Sequence, residues 1–254
     1  MFRQASKGLS GALLLLLTAA CGDKPASIQT GKLTGGTMVV MNSNGNVEAY
    51  PPAFGQARDQ YTVTETTTQP DVQTRIRWNA KKKVLTVCPE RRAAPQTAAC
   101  PPSADVRADY IVRVPHGVRA IIETSHGTLH VSDIDGSIEA VNQEGDIKIQ
   151  VPGYAQASTG SGNISATFGD AQWPGTLAFS AVRGNVEVYV PAQARAHVRL
   201  HTGRGTIFTD FELRGTSNGN SETIAAPING GGARSIVVHV LDGDIRLLKL
   251  TPQM

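Results

Sequence analysis

The sequence predicts an all-β fold: a β-solenoid, β-helix-like, of short strands with about 17–22 residues per coil, closed by an N-terminal β cap. Three observations predict it. A Gly-led step recurs through the second half of the chain. Apolar residues follow each Gly with a period of two. The spacing of the steps suits stacked coils. Eight segments open on Gly127, Gly136, Gly145, Gly162, Gly175, Gly184, Gly205 and Gly243, and the next residue is always Thr, Ser, Asp or Asn. The second residue after Gly is always apolar: Leu129, Ile138, Ile147, Ile164, Leu177, Val186, Ile207 and Ile245. The fourth is apolar everywhere except at Thr209. A period of two means a strand with one buried face. Gly permits positive φ at the turn, and a short polar residue beside it can bond back to the turned backbone.

The intervals favour coils over hairpins. Gly127, Gly136 and Gly145 are nine residues apart; the later gaps are 17, 22 and 21, and Gly205 to Gly243 is 38, twice 19. A unit of this size, often halved, fits two short strands and two turns, each coil burying its apolar side chains against the next. Residues 111–250 then make roughly seven coils about 4.8 Å apart, a body on the order of 34 Å long. A β-sandwich of hairpins is the alternative; it does not require Gly at equivalent places. A longer repeat agrees: Val112–Pro115, Val151–Pro152 and Val190–Pro191 each end one strand before a Gly opens the next. Proline lacks a backbone donor and fits corners.

Before the repeats, Gly36 and Gly45 follow the same rule nine residues apart, as an early coil or as a hairpin turned at Asn44-Gly45. Tyr61–Thr67, Asp71–Trp78 and Val84–Cys88 read as strands, and Lys81-Lys82-Lys83 between the last two reads as a solvated turn. An open coil end exposes unpaired backbone, so this region is expected to cap the solenoid.

The first 20 residues read as an export segment. Arg3 and Lys7 precede an apolar run from Leu9 to Thr18, with small Ala19 and Ala20 at its end. The run is about half the ~20 residues a membrane-spanning helix needs. Leu17-Thr18-Ala19-Ala20-Cys21 resembles the lipobox of bacterial lipoproteins, with Thr18 where that pattern usually has Leu. The resemblance implies cleavage after Ala20 and lipidation of Cys21, with acyl chains such as palmitate. Two or three chains, at ~0.8 kcal/mol per buried methylene, give a stable membrane anchor. Gly22 after the Cys implies the outer membrane where a cell has two. With Cys21 lipidated, Cys88 and Cys100 remain as a pair in an oxidising compartment, and a structural disulfide is expected. A redox or metal pair would need closer spacing or further thiols. The expected organisation is a signal peptide at 1–20, a lipidated Cys and tether at 21–35, a β cap with a disulfide loop at 36–110, and a solenoid at 111–250.

The stretch from about Asp71 to Leu250 resembles the bacterial putative-adhesin domain family. The matching pieces are Val112–Pro115, the Gly-Asp/Asn/Thr-Ile/Val steps, Ile228–Gly232, and Leu241-Asp242-Gly243-Asp244-Ile245. The resemblance implies a β-solenoid-like cell-envelope protein of largely unknown function. It supplies no catalytic residues.

Chemistry-bearing residues are sparse. His126/His130 and His197/His201 are four apart, which on a strand separates each pair by about 13 Å, too far for one ion. Asp133, Asp135, Asp146, Asp170, Asp210, Asp242 and Asp244 fall at turns, where stacking could align some into a carboxylate ladder. The Gly-Gly-x-Gly-x-Asp calcium pattern, a phosphate loop followed by a helix, and a Gly-x-Ser-x-Gly elbow are not found. No catalytic residue, metal or cofactor is therefore assigned. Without the first 20 residues the chain has 22 basic and 21 acidic side chains, with no clustered basic face for nucleic acid. The expected function is a lipid-anchored, non-enzymatic binding or scaffold module whose flat face offers polar side chains to an envelope protein or glycan. Aromatic residues are 5% of the chain, which favours a protein. The alternatives are a surface adhesin for glycan or matrix, and a β-helix carbohydrate-active enzyme.

Overall fold

The structure is a computed structural model that describes residues 26–93, 100 and 105–250. Ala20 and Cys21 lie outside them. Strands occur throughout: β1 (Ala26–Lys32), β2 (Thr37–Asn44), β3 (Val47–Tyr50), β4 (Gln60–Thr66), β5 (Val72–Asn79), β6 (Val84–Arg91) and β7 (Asp109–Arg113). The middle of the chain gives β8 (Arg119–His126), β9 (Leu129–Ser132), β10 (Ile138–Glu144), β11 (Ile147–Val151), β12 (Ala155–Ser161), β13 (Ile164–Phe168), β14 (Thr176–Arg183) and β15 (Val186–Pro191). The end gives β16 (Ala196–Arg204), β17 (Ile207–Thr209), β18 (Thr216–Asn218), β19 (Ser221–Ile228), β20 (Ser235–Asp242) and β21 (Ile245–Leu250).

They form two facing sheets. The ten-stranded sheet runs β1-β4-β7-β3-β9-β11-β13-β15-β21-β17, and the eleven-stranded sheet runs β18-β19-β16-β20-β14-β12-β10-β8-β2-β6-β5. A coil is one strand of the eleven-stranded sheet followed by one of the ten-stranded sheet. Stacked coils pair in parallel, as Ile147 with Leu129 and Ile164 show. The all-β solenoid is thus the observed architecture.

Its core is the space between the sheets. Residues two and four after the corner Gly, such as Ile147 and Ile149, meet residues five and seven before it, such as Ala140 and Ile138; all are buried. Bulk is shared out between coils: Phe179 lies beside Ala157, and its ring reaches Phe168 at 6.0 Å.

Three features depart from the sequence reading. First, stack order is not chain order. The β2–β3 coil lies between β6–β7 and β8–β9, and β20–β21 lies between β14–β15 and β16–β17. The 38-residue gap therefore holds no further coil. It holds β18 and β19, which fold back antiparallel over β16. Second, residues from 36 onward do more than cap: β2–β3 is a full internal coil, and the antiparallel strands β1, β4 and β5 close that end. With these additions the eleven-stranded sheet extends roughly 48 Å at about 4.8 Å per strand, longer than the expected coils alone. Third, the expected tether contains a strand, because β1 pairs along its whole length with β4. It buries little, and its stability comes from backbone pairing.

Candidate binding faces

One corner of the seven coils from β2–β3 to β16–β17 is fixed by a glycine column. Gly45, Gly127, Gly145, Gly162, Gly184, Gly243 and Gly205 have φ between 117° and 153°. A Cβ on Gly145 would lie 1.9 Å from the Gly127 carbonyl oxygen, and one on Gly162 would lie 2.2 Å from that of Gly145. Both the backbone conformation and the close approach exclude a side chain. Gly136 and Gly175 are not in this column. They open β10 and β14 at the opposite corner, and Gly136 packs against the Val118 carbonyl. Nine-residue spacing therefore marks alternate corners of one coil.

Beside the glycines runs a second column, which accounts for the aligned aspartates. Asp146 Oδ1 accepts the Asn163 backbone N–H at 2.7 Å, and Asn163 Oδ1 accepts that of Asn185 at 2.9 Å. Asn185 Oδ1 accepts from Asp244, and Asp244 Oδ1 from Thr206, each at 2.8 Å. Asp109 and Asn46 begin the same pattern at the other end. These oxygens are occupied in joining coils. Asp133, Asp135, Asp170, Asp210 and Asp242 lie off this column. Asp135 takes the Gly117 N–H at 3.0 Å and His116 Nδ1 at 2.8 Å; burial raises its pKa, but these two contacts outweigh it and the net direction is down. Inside the corner, Asn142 Nδ2 donates to the Gly127 carbonyl and Thr202 Oγ1 to that of Gly243, both at 2.7 Å.

On the outer face of the ten-stranded sheet several side chains partner one another, while Ile111 and Phe208 are exposed and a hollow of about 390 Å³ lies beside His130, Lys148 and Ser165. Tyr50 donates to Glu48 at 2.7 Å, and Tyr189 to Glu187 at 3.3 Å. Arg246 pairs with Glu187 at 3.2 Å, and the Arg113 guanidinium lies 5.0 Å over the Tyr50 ring. His130 meets Tyr50 edge-on and bonds Ser132. The donation to Glu48 raises the Tyr50 pKa; burial first, then Glu187, raises that of Tyr189.

The outer face of the eleven-stranded sheet is different. A hollow of about 270 Å³ is floored by Ser158, Ala178 and Ser180 and walled by Val141, Val237 and His239. Val141 also borders a hollow of about 190 Å³ beside Cys88, Pro89 and Cys100. Met41 links that one to a third, of about 670 Å³, under Trp78 and Arg77. The three make one trough along the sheet. Val182 and Leu241 rise beside it, each 50% exposed. His201 and His239 stack with ring centres 5.2 Å apart.

The trough adds apolar residues to the polar side chains, such as Glu139 and Gln156, on this face. These apolar residues lie in the outward phase of the repeat, which the buried pattern does not mark. Their signal is apolar residues in the outward phase: Val141, Val182, Val237 and Leu241. The Cys88–Cys100 disulfide is present and edges the trough. His126 and His130 lie on different surfaces, His126 near Glu144 at 3.6 Å. Among the described residues, no group of three or more His, Cys, Asp or Glu side chains is placed to hold a metal ion. No described helix is long and apolar enough to cross a membrane.

Comparison with curated proteins finds no match. Among solved structures, the chain is similar to a putative cell adhesion protein from Clostridium sporogenes, at 13% identity and TM-score 0.49, covering 89% of this chain and 100% of that one. It is similar to a putative adhesin from Bacteroides fragilis at 9% identity and TM-score 0.31, covering 89% and 98%. A putative lipid binding protein from Parabacteroides distasonis gives 10% identity and TM-score 0.26, covering 89% and 97%. The family described as Toastrack DUF4097 matches residues 103–248, more than half of the chain, and the protein belongs to that family.

Proposed function

We propose that this protein is a non-catalytic binding or scaffold module of the bacterial cell envelope, held by lipid on Cys21, which grips a partner protein along the trough of its eleven-stranded sheet. The contrast between the faces carries the reading. On the ten-stranded sheet, Tyr50 and Tyr189 are satisfied by neighbouring glutamates and Glu187 by Arg246, and the hollow there is bordered by the polar Lys148, Asn163 and Ser165. On the other sheet, hollows floored by serine and alanine stand beside exposed Val182 and Leu241. Small floor residues with apolar walls accept an inserted side chain of a protein segment. Phe179 is the one Trp, Tyr or Phe among the described lining residues of the 270 Å³ hollow; it is buried, with its ring 6.0 Å from that of Phe168, so it offers a sugar ring little to stack on.

The test is photo-crosslinking in cells, with a benzophenone amino acid at Val141, Val182 or Leu241, and at Lys148 or Ser165 on the opposite face. The expected result is one discrete adduct from the trough positions alone. Equal adducts from both faces, or adducts only from Lys148 and Ser165, overturn the assignment. Protease shaving of intact and permeabilised cells tests the location: protection until permeabilisation supports an inward-facing partner, and loss from intact cells supports a surface adhesin.

A further inference from the structure

At the N-terminal end the two sheets do not close on apolar side chains. A cavity of about 600 Å³ opens there, with β1 and β4 on one side and β5 on the other. Glu65 projects into it from the inner face of β4, in the phase that carries Val63 into the core. The Glu65 residue is 3% exposed. Ser27 Oγ donates to Oε2 at 3.0 Å, and Oε1 has no hydrogen-bond partner. The remaining wall consists mostly of neutral groups already engaged. Gln29 donates to the Thr74 carbonyl, Thr74 Oγ1 to the Tyr110 hydroxyl, and Gln73 to Glu90. Arg75 pairs with Glu90, and Arg92 stands at the cavity lining.

A buried carboxylate oxygen that no protein group bonds is a costly arrangement, and a hydrogen-bond donor on a ligand would satisfy it. Glu65 is among the residues that line a cavity of the size that takes a small molecule. We infer that this cavity binds a small primary ammonium, whose N–H donates to Glu65 Oε1, while Arg92 leaves a place for an anionic group on the same ligand. The ammonium can belong to a free amine or amino acid, or to a phosphoethanolamine headgroup. This site is independent of the trough.

Calorimetric titration of the full-length protein with four probes tests the inference. Butylammonium tests the ammonium alone, glycerophosphoethanolamine the headgroup, butyltrimethylammonium the charge without an N–H donor, and hexanoate an anion alone. Butylammonium is expected to bind, and butyltrimethylammonium and hexanoate are not. Tighter binding of glycerophosphoethanolamine than of butylammonium, lost in R92Q, identifies the headgroup; equal binding identifies a free amine. E65Q is expected to weaken butylammonium by about tenfold to a hundredfold, the range for a hydrogen bond to a charged group. As a readout that needs no variant, the Glu65 side-chain carboxyl carbon resonance is expected to move on titration with butylammonium. No binding of either primary ammonium, equal binding of the trimethyl probe, undiminished binding by folded E65Q, or an unmoved Glu65 resonance overturns it.

Discussion

Each coil from β2–β3 to β16–β17 presents two sets of outward residues, read from its corner glycine. Three and five residues after it, on the ten-stranded sheet, stand Glu48 and Tyr50, Glu187 and Tyr189, Lys148 and Gln150. Two, four and six residues before it, on the eleven-stranded sheet, stand Val182, Ser180 and Ala178, or Leu241, His239 and Val237. The backbone repeat is the same, and the parallel pairing is the same. What differs is the chemistry at equivalent places: glutamate, tyrosine and lysine on the one sheet, and valine, leucine, serine and alanine on the other. A tyrosine that donates to the glutamate two residues before it is already satisfied. A leucine or valine exposed beside a hollow keeps apolar surface in water that a second molecule can bury. Stacking fixes the scaffold without fixing the surface.

The most damaging test removes the scaffold under both faces. G162V forces a side chain into positive φ and against the Gly145 carbonyl, and is expected to destabilise by about 4 kcal/mol, with thermal unfolding as the readout. Its control is G175A, where nothing lies within 4 Å of a new Cβ. Only backbone strain of about 1–2 kcal/mol is expected there. Replacing both disulfide cysteines with serine acts on one face. A loss of about 3 kcal/mol is expected in denaturant unfolding. Trough crosslinks near Met41 should weaken while the ten-stranded face is unchanged.

Smaller effects sharpen the contrast. L241K places a charge beside the hollow and is expected to reduce partner binding by about 2 kcal/mol. Its stability should stay within about 0.5 kcal/mol, as for other surface positions. The same pair of measurements on R246Q should show no change in binding. The Arg246–Glu187 pair is solvent-exposed, so less than about 1 kcal/mol of stability is at stake, and that portion is screened by salt.

Much of the fold was legible, because the buried phase of the repeat is nearly invariant. Leu129, Ile147, Ile164, Val186 and Ile245 announce their stack directly. The interleaving of the ends was not legible. Gly205 and Gly243 carry the same signal whether the intervening residues form a coil or a hairpin, and only long-range pairing decides it. Gly136 and Gly145 look alike in sequence, yet only Gly145 has positive φ. The trough lay in the phase of the repeat that a core-seeking pattern discards. Glu65 was hidden for another reason: it stands two residues after Val63, on the same inward face, but a charged residue there reads as the end of the buried pattern rather than as part of it.

The placement of β20–β21 sets a timetable for the molecule. When β16 and β17 leave the ribosome or the export channel, the edges they will occupy do not yet exist; β14 and β15 offer edges that belong to residues 235–250. Until those last residues arrive, β16 can pair only with its own hairpin partner β19. The final segment then enters between two waiting halves and gains neighbours on both sides at once. The two halves of the stack are therefore joined only once residues 235–250 have been made.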